Sequence, residues 1–339
     1  MNSIPGIAIV TRPTRLEGLR RRWGTLGQAK FRMVQAQTLE AERRRVGVPL
    51  GHGKRRGAAQ AQAVATQADF AEYEREDSVY QRVIDGLERD LRTFGIPVRI
   101  VDRAFLPNFD FGLCSVVVVV GQDGLVANAA KYVGALPIVA VNPDPARFDG
   151  ILLPFRTDQA RHAVQAVLQQ EFRARPVTLA ETLLNDGQRL LAFNDFFIGA
   201  ATHVSARYVL EVGGRSEPQA SSGILVSTGA GSTGWLSSVF NMAAGVARFL
   251  AGGIAPPPTL AWEERRLAWA VREPFVSRQS QASLVAGWLD EPHELIIESL
   301  MPEGGVIFSD GVEANFLPFT SGSIARVRVS EQRANLVVR

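Results

Sequence analysis

Five consecutive valines, Val116 to Val120, constrain this chain of 339 residues more than any other stretch. A β-branched apolar run of that length is too short for a membrane helix and long enough for a strand buried on both faces. It stops at Gly121, and Gly121-Gln122-Asp123-Gly124 follows, two glycines able to approach a ligand closely with a carboxylate held between them. Leu125 to Val133 then reads as helix. A strand, a glycine turn and a helix in that order put backbone N–H groups and the positive helix end at the carboxyl edge of a sheet, where phosphates bind. An ordinary βα turn has the same short pattern, so the turn alone leaves both readings open.

The same alternation recurs on either side of the valines. Gly6 to Val10 reads as a first strand, Val98 to Val101 and Leu136 to Val141 as further strands, and Asn142-Pro143-Asp144-Pro145 as a turn. From Asp69 to Phe94, Tyr80, Val83, Ile84, Leu87 and Leu91 recur at three- and four-residue spacing, as an amphipathic helix requires. Residues 14 to 46 are mostly helix-forming, interrupted at Trp23 to Lys30, and Pro49 to Gly57 reads as an exposed loop. Strands alternating with helices predict a parallel α/β sheet.

After residue 155 the texture changes. Thr157 to Phe172 is one more helix, and then come short alternating stretches: Arg189 to Ile198, His203 to Val212, Gly223 to Ser227, Ala282 to Leu289, Glu294 to Glu298, Val306 to Phe308 and Ile324 to Val329. They predict a mainly antiparallel β domain. One helix intrudes at Trp235 to Leu250, and Pro256-Pro257-Pro258 marks a bend. The expected organisation is an α/β domain over residues 1–156 with a basic helical insertion at about 14–75, a β-rich domain over 157–320, and a C-terminal strand, 321–339, returning to the first domain.

Charge is uneven. Residues 12 to 56 hold thirteen Lys or Arg against three Glu, a local +10 in a chain of net charge +3, so the remainder carries −7. Such a segment suits nucleic acid or a polyphosphate, although arginine runs such as Arg20-Arg21-Arg22 are more often solvated helix faces, and a nucleic-acid partner is not expected. The single cysteine, Cys114, argues against a disulfide framework and fits a reducing compartment, with the cytoplasm the expected location. No segment reaches the roughly 18 to 20 apolar residues of a membrane helix, so no membrane partner is expected. There is no zinc-ligand spacing and no G-x-S-x-G elbow.

Two further constellations lie in the second half. Phe193-Asn194-Asp195-Phe196 sets an amide and a carboxylate between strand-forming hydrophobes, as a polar site or an Asx turn would. Residues Ser227 to Gly234, STGAGSTG, place three glycines and four hydroxyls before a helix, offering donors to an anionic or ribose-bearing ligand.

Taken in order, these pieces resemble the NAD kinase family, whose fold is related to that of diacylglycerol kinases. The family pattern is a buried strand ending in G-G-D-G-T, an N-E or N-D pair, then G-D-G and S-T-P-T-G-S-T-A-Y. Here Gly121 to Leu125, Asn194-Asp195, and Ser221-Ser222-Gly223 through Trp235 occupy those places. Val141-Asn142 resembles the G-V-N turn and Ser309-Asp310-Gly311 the late D-G turn. The resemblance covers roughly residues 96 to 315.

That resemblance implies a Rossmann-like parallel α/β domain followed by a mainly antiparallel β domain, small-molecule nucleotides in the cleft, and a homo-oligomer, dimer or tetramer. It implies transfer of the γ-phosphoryl group of ATP to the adenosine ribose 2′-hydroxyl of NAD or NADH. Asp123 would deprotonate the hydroxyl, while Gly121, Gln122, Gly124 and Mg²⁺ hold phosphates. Asn128, Asn142, Asn194, Asp195, Ser222, Thr228, Gly231, Ser232, Thr233, Trp235 and Asp310 would line the nucleotide pocket. Four positions depart from the pattern: Gln122 replaces a glycine, Leu125 the threonine, Ser222 the G-D-G aspartate and Trp235 the tyrosine. These departures keep two alternatives open, a kinase of another hydroxyl-bearing acceptor (nucleoside, sugar or lipid) and a non-catalytic nucleotide-binding sensor.

Overall fold

A computed structural model describes residues 5–33, 35, 70–250, 252 and 259–339. The expected loop at Pro49 to Gly57 and the triple-proline bend lie outside those residues. Strand β1 (Gly6–Thr11) is followed by helix α1 (Arg15–Trp23), helix α2 (Phe70–Arg92), β2 (Val98–Asp102), β3 (Cys114–Val120), helix α3 (Asp123–Ala130), β4 (Pro137–Asn142), β5 (Phe155–Arg156) and helix α4 (Thr157–Leu168). Strands β2-β1-β3-β4 lie side by side in parallel register.

The valine run explains this layering. Val116, Val118 and Val120 pack with Tyr80, Ile84, Leu87 and Leu91 of α2 and with Ala160, Val164 and Val167 of α4. Val117 and Val119 point the other way, toward Leu125, Val126 and Ala129 of α3. Alternation at period two across a sheet covered on both faces leaves every one of these valines 0% exposed. Burial of each is worth roughly 1.5–3 kcal/mol relative to exposure.

Helix α1 opens with a capping box, the Thr14 hydroxyl accepting from the Glu17 N–H and the Glu17 carboxylate from the Thr14 N–H. It stops at Gly24, where φ is 79°. Helix resumes at residues 26–33, so the break predicted across Trp23 to Lys30 shrinks to Gly24-Thr25. Helix α4 ends at Leu168, earlier than predicted, because Gln170 takes a left-handed φ of 60°.

The second half contains β6 (Arg173–Leu184), β7 (Arg189–Ala192), β8 (Asp195–Ala200), β9 (Ala206–Val212), β10 (Arg215–Ser221), β11 (Ile224–Ser227), helix α5 (Trp235–Phe249), β12 (Arg266–Val271), β13 (Ala286–Asp290), β14 (Leu295–Ser299), β15 (Gly305–Ser309), β16 (Leu317–Pro318) and β17 (Ile324–Val338). One sheet, β13-β12-β11-β8-β15-β16, is antiparallel throughout. The other strands extend the parallel sheet: β17 runs parallel to β4 at Asn335 and Leu336 and antiparallel to β6 and β14. Apolar side chains of both sheets interlock between them, Phe196, Ile198 and Trp269 facing Tyr208, Leu210, Ile297 and Val327. Strands β6 and β10 carry interspersed Arg, Glu and Pro, which conceal their period. The stretch predicted as one strand from Arg189 to Ile198 is two, broken at Phe193-Asn194. Among the described residues no helix is long and apolar enough to cross a membrane.

Candidate functional site

The turn after β3 is drawn tight. A Cβ on Gly121 would lie 2.9 Å from Leu125 Cδ2, so any larger residue there requires that side chain to shift. Gln122 is the extended N-cap of α3, with φ −120°, and makes no side-chain capping bond. The helix begins two residues earlier than the sequence reading placed it, which puts Asp123 and Gly124 in its first turn, where a carboxylate suits the dipole. Asp123 Oδ1 accepts the Leu152 N–H at 2.7 Å, and Oδ2 has no partner among the described residues. A Cβ on Gly124 would meet nothing within 4 Å, so that glycine faces open space. Asn128 is buried on α3, its Oδ1 without a partner among the described residues. Asn142 is committed to its own loop: Oδ1 accepts from the Asp144 N–H and Nδ2 donates to the Phe148 carbonyl.

A second group forms around Asp310. Its φ is +55°, a left-handed conformation tolerated by Asp. From there its carboxylate accepts the backbone N–H groups of Phe193, Asn194 and Asp195, at 3.3, 2.6 and 3.4 Å, and pairs with Lys131 Nζ at 3.1 Å. Lys131 also donates to the Ser309 hydroxyl. Both ions of this pair are almost fully buried, and the pair joins the end of α3 to the Asn194-Asp195 turn. Burial, and next the charge of Asp310, push the Asp195 carboxyl up to about 7.

The glycine-hydroxyl loop packs on that turn. The Thr228 N–H donates to the Asn194 carbonyl, and the hydroxyls of Ser227, Thr228 and Ser232 all donate to backbone carbonyls. A Cβ on Gly231 would lie 2.2 Å from the Asn194 oxygen, and one on Gly229 2.0 Å from the Ala261 oxygen, so close backbone approach requires both glycines. Ala230 touches the core beneath α3. Three hydroxyls therefore fix the loop, while Thr233 is exposed at its rim.

A cavity of about 620 Å³ opens beyond the loop, lined by Phe197, Ser222, Trp235, Arg272, Phe308 and Phe316 among others. Trp235 stacks on Phe197 at 5.7 Å and 9°, and Phe197 on Phe308 at 5.0 Å. The Arg272 guanidinium lies over Trp235 at 5.3 Å. The structure thus gathers Asn194, Asp195, Thr228, Gly231, Ser232 and Asp310 into one hydrogen-bonded unit, and Ser222 and Trp235 into the aromatic cavity. Gly121 to Gly124 form a separate turn at the other end of α3. The sequence reading missed Phe197, Phe308, Arg272 and Leu152; the apolar neighbours of Asn194-Asp195 hinted at Phe197, whereas nothing local marks a backbone N–H such as that of Leu152.

The parallel α/β sheet carries the G-x-D-G turn, and the Asn194-Asp195 turn leads from its antiparallel extension into the second sheet. The chain is 28% identical to rat mitochondrial NAD kinase 2 over 212 residues, covering 49% of this chain and 50% of that protein. It spans about half the length of that curated relative. Among solved structures it superposes on an NAD kinase from Archaeoglobus fulgidus, determined in complex with ATP, with a TM-score of 0.51 over 75% of this chain and 88% of that one. Yeast NADH kinase complexed with NADH gives a TM-score of 0.52 over 100% and 84%. Both are 14% identical to it and show the shared fold. No family model matches. The chain is a divergent NAD kinase-like protein.

Proposed function

We propose that this protein is a phosphotransferase that moves the γ-phosphoryl group of ATP onto the adenosine ribose 2′-hydroxyl of NAD or NADH. The observation that carries the reading is the Asp123 carboxylate, held by the Leu152 N–H at the uncapped start of α3 on the carboxyl edge of a parallel sheet. One oxygen is fixed and the other is left for a proton. The ribose oxygen attacks the γ-phosphorus, its proton passes to Asp123, and the bond to the β–γ bridging oxygen breaks to release ADP. The free N–H groups of the first turn of α3 face the phosphates. Asn194 and Asp195 take the dinucleotide, and the Trp235–Phe197 stack takes one of its bases.

Among the described residues no three carboxylate, His or Cys side chains converge on one point. The chain thus offers no closed carboxylate cage among the described residues, and Asp123 is the carboxylate of the turn that would meet a Mg²⁺ entering with the nucleotide. Bound there, the ion would neutralise charge on the transferring group. Homo-oligomerisation and a cytoplasmic location belong to the same proposal. The test is NADP(H) formation from ATP with NAD or NADH, with Asp123→Asn as control. The uncapped Gln122 side chain and Ser222 at the cavity favour a second reading, phosphorylation of a different hydroxyl, which an acceptor screen tests.

A further inference from the structure

The carboxyl edge of the parallel sheet carries more cationic charge than the glycine turn alone would need. Strand β1 pairs with β3 through Val10 and Val119, and two further steps along that register set Arg12 beside Gly121. The contact bears this out: Arg12 Cδ lies 3.8 Å from the position a Gly121 Cβ would take. On the other side β4 brings Asn142 level with Arg156 of β5. Arg147 comes from the loop whose Leu152 N–H holds Asp123.

Arg12 and Arg147 are held in place without being used up. Glu76 of α2, 7% exposed, pairs with Arg12 Nη2 at 3.1 Å, with Arg15 Nε at 2.6 Å and with Arg147 Nη1 at 3.4 Å, and Glu72 also pairs with Arg147. Among the described residues two glutamates thus pair with three arginines, leaving one positive charge in excess within that group. Arg12 donates two hydrogen bonds, to Glu76 and to the Pro13 carbonyl, out of the five N–H donors of a guanidinium. Its Nε–H is buried with no partner among the described residues. Its position is fixed further by the Tyr80 hydroxyl, which accepts from the Arg12 N–H and donates to the Val120 carbonyl at the end of β3.

We infer that Arg12, seconded by Arg147, binds the terminal phosphates of the phosphoryl donor. The inference rests on the phosphotransferase reading and supplies what the turn lacks. Gln122 and Leu125 give the glycine turn one less point of close backbone approach and one less hydroxyl, and a planar guanidinium beside Gly121 offers paired donors matched to phosphate oxygens. Glu76 balances charge among the three arginines, while the Pro13 carbonyl and the Tyr80 hydroxyl hold Arg12 at the edge independently of it. The helix that follows the basic segment thereby takes part in donor binding.

The test measures binding of inorganic tripolyphosphate and of NADH, together with the KM for ATP, in the wild type and in Arg12→Met, Arg12→Lys, Arg147→Met and Glu76→Gln. Expected is a loss of tripolyphosphate affinity and a rise in the KM for ATP of tenfold or more in Arg12→Met, partial recovery in Arg12→Lys, a smaller loss in Arg147→Met, and NADH affinity within twofold throughout. Glu76→Gln breaks the same ion pair as Arg12→Met. It retains tripolyphosphate binding if Arg12 is a ligand, and behaves like Arg12→Met if the pair only supports the fold, which would overturn the inference. Should Arg12→Met not fold, Arg12→Lys and Arg147→Met decide, and unchanged tripolyphosphate affinity in both overturns it. Tripolyphosphate binding through Arg12 in a protein that makes no NADP(H) would refute the proposed function and leave this inference standing. NADP(H) formation with an unchanged KM for ATP in those two variants would do the reverse.

Discussion

Replacing Asp195 by Asn should make the protein's stability less sensitive to pH, in a direction set by the burial of Asp195 beside Asp310. Asp195 is 7% exposed at the start of β8, and the nearby cation, Lys131, is paired with Asp310 instead. Burial first, and the Asp310 charge second, bring the carboxyl from the ordinary 3.8 to about 7. The folded state therefore binds a proton that the unfolded chain releases above pH of about 4. The stabilisation is fully present below that pH and is lost as pH rises to about 7, at about 1.4 kcal/mol per pH unit. The full span is worth about 4 kcal/mol, and the part between pH 5 and 8 about 3 kcal/mol. Asn keeps the shape and cannot ionise. Urea denaturation of both proteins at pH 5 and 8 should show the stability difference moving by about 3 kcal/mol in favour of Asp195→Asn at the higher pH. A difference that changes by less than about 0.5 kcal/mol between the two pH values would refute the reasoning.

Lys131→Met leaves the buried Asp310 carboxylate without its cation and should cost about 3–5 kcal/mol in urea unfolding, most of which Lys131→Met with Asp310→Asn recovers. Gly231→Ala forces a Cβ within 2.2 Å of the Asn194 oxygen, and an overpacking loss of about 1–3 kcal/mol or more is expected with weakened NADH binding, read by denaturation and fluorescence titration. Gly124→Ala meets nothing within 4 Å, so its melting temperature should hold or rise while the KM for ATP increases. Trp235→Ala removes one face of the aromatic stack and should weaken dinucleotide binding without altering tripolyphosphate binding.

The α/β half of the fold was legible because its signals are local. The valine run, the Tyr80-to-Leu91 stripe and Asn142-Pro143 each encode an element within a few residues, and the parallel sheet follows from their order. The β half was legible as a class and poorly as strands. Arg173–Leu184 is held by pairing with β17, more than a hundred residues away in sequence, Arg266–Val271 lies between β11 and β13, and Arg215–Ser221 pairs with the neighbouring β9, where Tyr208, Gln219 and Glu217 form a buried polar network that reads locally as surface. At the candidate site, Asp123, Asn194-Asp195 and the glycine loop stood out by composition. What composition could not give is their division of labour: the loop's hydroxyls are turned inward to carbonyls, and Asp310 spends its carboxylate on three backbone N–H groups and Lys131. The Asp310 contacts span more than a hundred residues of sequence and leave no periodic trace.

The central claim is tested most directly by incubating the purified protein with ATP, Mg²⁺ and NAD or NADH and following NADP(H), beside Asp123→Asn. The account predicts product from the wild type and at least a hundredfold less from the variant, with NADH still bound by both. Product formed at equal rates by both proteins, or none from a wild type that binds both nucleotides, would contradict it.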